Sequence, residues 1–138
     1  MPQSLFAVLP GLAIAAFMVA ALALLRSQDK SRPGVWVVPA GLAGLFLGWS
    51  LFTVSREGPL GFWSNHTANA WGNQVWFDLL LAIGTAWALM LPRARAVGMQ
   101  PLPWLVLIVS TGSIGLLAMY ARCLFLEQSQ SKTQRRHR

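Results

Sequence analysis

The residues most able to do chemistry gather around one acid. Asp78 lies inside the apolar run NQVWFDLLLAIGTAW, residues 73–87. An ionised carboxylate costs several kcal/mol to place in hydrocarbon, so a carboxylate there needs a partner or a task. Gln74, Asp78 and Thr85 recur at helical spacing and form a thin polar stripe on one face. Intramembrane polar groups rarely face lipid, so the expectation is that this stripe faces other helices. Arg122 supplies a partner if the last two apolar runs are antiparallel spans. Both residues would then lie roughly 6–8 Å beneath the same interface at the helical rise of ~1.5 Å per residue. Tyr120, Ser50 and Thr53 would share that depth, with Asn65 and His66 in a loop just above. Such a pocket has two chemistries. Asp78 and Arg122 can form a charge-assisted pair that holds two helices in register. Alternatively the carboxylate, with His66, moves a proton or holds the polar end of a ligand. No catalytic role is assigned to any residue.

Other chemistries find little support. The one cysteine, Cys123, excludes an internal disulfide and a cysteine-cluster metal site. His66 and His137 have no further ligands in a metal-binding pattern, so no metal and no cofactor are expected. Ser113 has no histidine at its depth to activate it. Asn65-His66-Thr67 matches a glycosylation acceptor, which matters only in a eukaryotic secretory setting. In STGSIG, residues 110–115, the small side chains suit close helix packing, and the hydroxyls can bond to backbone.

The elements that must position these residues follow from composition. The chain has 138 residues, 55% hydrophobic and 11% charged, with mean hydropathy +0.51. A soluble domain of this size is about a quarter charged, so a bilayer is needed to solvate much of this one. The expected fold is all-α: an integral membrane four-helix bundle with short connections, residues 1–127, and a disordered polar basic tail, 128–138. The helices are expected at about 4–25, 35–54, 73–91 and 102–126. The first run is longer than a signal-peptide core and no basic residue precedes it, which favours a retained helix. Ala40, Gly44 and Gly48 give the second helix a face of small residues. In the link between the second and third helices, Phe62, Trp63 and Trp71 suit a loop lying on the membrane interface.

The net charge of +7 does not point to nucleic acid, because Lys and Arg sit in short links and in the tail. The lipid bilayer is the expected partner, with a membrane protein or a second copy of the chain as a further one. Counting basic residues nearly ties the two faces. Weighting the short links places loops 26–34 and 92–101 in the cytoplasm and both termini outside it.

The stretch NQVWFDLLLAIGTAW…PRARAVGMQPLPWLVLIVSTGSIGLL resembles a family of small bacterial integral membrane proteins, domain of unknown function 2834. The shared pattern is an early aspartate, a basic turn, a Pro/Trp entry and a small-residue-rich last span. The stretch is similar, more distantly, to the neoxanthin-associated abscisic-acid-deficient membrane family. The first resemblance implies a bacterial inner-membrane protein without an assigned activity. The second implies binding or modification of an isoprenoid or carotenoid-like lipid, and Asp78 is the one position it would carry across. The leading expectation is a non-enzymatic packing partner or modulator of a membrane complex. The alternative is an isoprenoid site near Asp78 and Arg122. A small proton-coupled transporter ranks last, since such families carry a carboxylate in the first span and this chain has none there.

Overall fold

A computed structural model of the protein describes residues 3–26 and 34–136. The described chain is all α-helical: α1 Gln3–Arg26, α2 Val37–Glu57, α3 Gly61–Thr67, α4 Ala70–Ala96, α5 Pro101–Thr111 and α6 Ser113–Arg136. Two of these, α2 and α4, are long and apolar enough to cross a membrane. The chain divides into two compact units, residues 1–32 and 33–138. The first contains α1, whose side chains from Phe6 to Leu22 are almost all exposed and wholly apolar.

In the second unit, local signals set the helix ends. Gly58 takes a positive φ of 80° and its N–H closes on the Val54 carbonyl at 2.9 Å, which stops α2. Asn69 caps α4 by accepting the Gly72 N–H at 2.9 Å. Proline 92 does not end α4, because the helix absorbs it and continues to Ala96. Gly98, at φ 78°, then turns the chain, with its N–H on the Arg95 carbonyl. Pro101 opens α5 at the position where a missing N–H costs nothing.

The expected continuous helix over 102–126 is not formed. Gly112, at φ 62°, reverses the chain midway, and α5 and α6 fold into a hairpin. Their backbones touch: a Cβ on Gly115 would lie 2.9 Å from the Ile108 Cα. Met99, just before α5, packs in one core with Cys123 of α6 and Ala94 of α4.

Contacts at both ends set the helix directions. Ile83 of α4 lies beside Gly112 at the base of α6. Ten residues further along α4, Arg93 pairs with Glu127, fifteen residues along from Gly112. Hence α4 and α6 run parallel, with α5 antiparallel between the same two ends. At α2's start Trp36 meets Phe125 edge to face at 5.5 Å, and the Gly34 N–H bonds to Gln128 Oε1 at 3.3 Å. The far end of α2 shares a depression with Phe62, so α2 runs against α6. Short α3 lies along the first turns of α4, where Phe62 and His66 pack on Trp76. Gly72 permits this approach, since a Cβ there would meet the Asn65 carbonyl oxygen at 2.6 Å.

The tail expected to be disordered continues α6 to Arg136. Its helical start is anchored by Glu127 and Gln128, which bond to α4 and to the chain before α2.

Candidate functional site

The parallel course of α4 and α6 separates the residues that sequence spacing brought together. Ile83 is level with Gly112. Asp78 lies five residues before Ile83, and Arg122 lies ten residues after Gly112 in the opposite direction. At ~1.5 Å per residue the two are roughly 20 Å apart along the helix axes. No hydrogen bond or ion pair joins them. The guanidinium of Arg122 instead lies over its neighbour's ring, 5.6 Å from the centre of Phe125. The expected pair assumed one antiparallel span over 102–126, and the reversal at Gly112 removes that assumption.

Asp78 is also turned away from the other helices of its own unit. At about 100° per residue, Gln74, Asp78 and Thr85 lie about 180° round α4 from Trp76, Ile83, Trp87 and Met90. The latter four are the half-buried side of α4, and all but Trp76 pack on the core. Gln74, Asp78 and Thr85 are all exposed, together with Leu81 at 71% and Leu89 at 76%. The expected inward-facing stripe is therefore an outward-facing one.

The other residues of the expected pocket lie at different levels. His66 is half-buried at the end away from Arg122, with Nδ1–H donating to the Phe62 carbonyl at 2.6 Å and its ring edge-on to Trp76 at 5.1 Å. Tyr120 is half-buried on α6, and its ring lies 5.6 Å from the Arg93 guanidinium carbon. His66 and Asp78 are thus towards one end of this unit, whereas Tyr120 and Arg122 are towards the other.

One ion pair is found among the described residues, and sequence reasoning missed it. Arg93 grips Glu127 with Nε and Nη2, the second bond measuring 2.7 Å to Oε2. This fork-to-fork geometry suits guanidinium and carboxylate. The bonds from Arg93 hold the Glu127 carboxyl below the usual carboxylate range. Beneath it lies Cys123, fully buried, with its thiol 3.7 Å from Glu127 Oε1. A signal was present: Cys123 and Glu127 are four residues apart on one helix face, so Glu127 continues the core face of α6 rather than starting a loose tail. No group of three or more His, Cys, Asp or Glu side chains among the described residues could hold a metal ion.

A cavity of about 510 Å³ opens between α3, α4 and the hairpin. Phe62, Trp76, Ile83, Trp87, Ile108 and Val109 are among the residues lining it, and Ser110 and Gly112 lie at the hairpin's elbow. The Ser110 and Thr111 hydroxyls donate back to carbonyls of their own helix, Thr111 to Leu107 at 2.6 Å. That leaves the cavity apolar and able to take a hydrocarbon group rather than a charged one. No protein-family model, curated protein or solved structure matches the chain.

Proposed function

We propose that the protein is a small integral membrane protein of the bacterial inner membrane, of the family it resembles, that acts without catalysis by packing against a membrane partner. The observation carrying this reading is the outward stripe of Gln74, Asp78 and Thr85 on α4. A carboxylate beside exposed Val75 and Leu81 is costly against lipid and is stabilised when another protein surface covers it. The exposed side chains Ala82 and Ala88 flank the stripe, and small residues let a second helix approach closely.

The test is isolation from native membranes in mild detergent, comparing wild type with Asp78→Leu. Wild type is expected to retain a stoichiometric partner or a second copy, and the variant to lose it while keeping its helical content. Equal retention by both would overturn the reading.

The apolar cavity favours a second reading, in which an isoprenoid-like hydrocarbon occupies the space between α3, α4 and the hairpin. Gly84 borders it, and an added Cβ there would meet nothing within 4 Å. Gly84→Phe is therefore expected to fill the space and displace any lipid that co-purifies with wild type. Identical lipid content in the two proteins would dismiss this ligand.

A further inference from the structure

The hairpin places charge as well as chain. Arg93 and Arg95 close α4 at the end where Glu127 and Gln128 of α6 are anchored. Beyond Glu127, α6 carries Lys132, Arg135 and Arg136 further in the same direction. In this unit the opposite end carries Arg56, next to Glu57, with its guanidinium 5.4 Å from the Phe52 ring centre. If residues 102–126 formed a single crossing, the tail's basic residues would instead join Arg56. The chain reversal at Gly112 is what gathers them.

Lengths agree with a helix pair that enters and leaves by one face. The 11 residues of α5 span about 16 Å, half of a ~30 Å hydrocarbon core. The exposed wall of α5 is apolar, with Leu102 at 70% and Val109 at 80%. At the elbow the Gly112 N–H bonds to Ile108 and the Leu116 N–H to Gly112, which pairs part of the polar backbone at that depth.

We propose that α5 and α6 form a re-entrant hairpin that puts the basic end of the bundle, tail included, on the cytoplasmic face, where it takes anionic phospholipid headgroups. The inference rests on the membrane reading above. It keeps loop 92–101 in the cytoplasm and moves the C-terminus there from the expected outer side, while most of loop 26–34 lies outside the described residues. Basic residues beside a membrane end select the cytoplasmic side and attract its anionic leaflet. Arg93 is committed to Glu127, so Arg95, Lys132, Arg135 and Arg136 supply most of the attraction.

Two measurements on the full chain test it. Single cysteines at Ser64, Gln100 and Gln130 are treated in intact cells with a membrane-impermeant maleimide, the buried Cys123 of wild type serving as the blank. Ser64→Cys is expected to label, and Gln100→Cys and Gln130→Cys to label only after the cells are opened. Labelling of Gln130→Cys together with Ser64→Cys in intact cells would overturn the hairpin. Release of the chain by alkaline carbonate would overturn the membrane reading itself. In the second measurement, detergent-purified protein is titrated with short-chain phosphatidylglycerol and phosphatidylcholine by tryptophan fluorescence. Wild type is expected to prefer the anionic lipid, and Arg95→Gln/Lys132→Gln/Arg136→Gln to lose on the order of fivefold in that preference per charge removed. An unchanged preference in the triple variant would overturn headgroup binding.

Discussion

Arg93 near the end of α4 faces Glu127 along the parallel α6, and their two hydrogen bonds tie the last turn of α4 to α6. Arg93 is 42% and Glu127 32% exposed, so water and salt screen the pair. A double-mutant cycle of Arg93→Gln and Glu127→Gln is expected to give a coupling of about 0.5–1 kcal/mol at low salt, less at high salt. Thermal unfolding in detergent measures it, and strict additivity would contradict the geometry.

The same pair makes stability depend on acid. Glu127 has a lowered folded-state pKa, because Arg93 favours the charged form. Its contribution is therefore complete above the unfolded carboxyl's ordinary value of about 4.3 and is lost as pH falls through the lower, folded value. Glu127→Gln is expected to flatten the acid limb of a stability–pH curve and leave the neutral region's slope unchanged.

The elbow should tolerate added atoms poorly. Gly115→Ala forces a methyl to within 2.9 Å of Ile108 backbone atoms, which cannot rotate aside. A loss of about 1–3 kcal/mol is expected. Gly112→Ala meets Ile83 only at 3.7 Å but must hold a positive φ, so about 1–2 kcal/mol is expected from backbone conformation alone. Gly44→Ala, with nothing within 4 Å, is the control and should cost little.

Asp78 and Arg122 should behave as strangers. Roughly 20 Å of helix separates them by the rise per residue, and losses from Asp78→Asn and Arg122→Gln are expected to add within about 0.5 kcal/mol. A larger coupling in the purified protein would restore the direct pair.

Cys123 should report on unfolding. It is fully buried, and its thiol meets Glu127. Maleimide reaction is expected to be negligible in the native protein and to appear with the unfolding transition. Arg93→Gln should bring that onset to lower denaturant.

The helical character and the apolar runs of α2 and α4 were legible because twenty-residue hydrophobic stretches have few other solutions. The break at Gly112 was not. Residues 101–126 have the length and composition of a span, and the glycines at 112 and 115 are equally at home inside a packed helix. What distinguishes them is tertiary: one takes a positive φ and the other touches a neighbouring backbone. The error then propagated. A span assumed to be antiparallel matched Asp78 in depth with Arg122, whereas the hairpin matches Arg93 with Glu127. Periodicity correctly grouped Gln74, Asp78 and Thr85 on one face, but the direction of that face depends on where the neighbours are.

The turn at Gly112 also gives the second unit unequal girth. Near the basic end a cross-section cuts α2, α4, α5 and α6; beyond the turn it cuts α2 and α4, with α3 alongside. On the re-entrant placement proposed above, such a body would displace more lipid from the hairpin's leaflet than from the other. It would be a molecular wedge, accommodated best where the bilayer bends towards the narrow side.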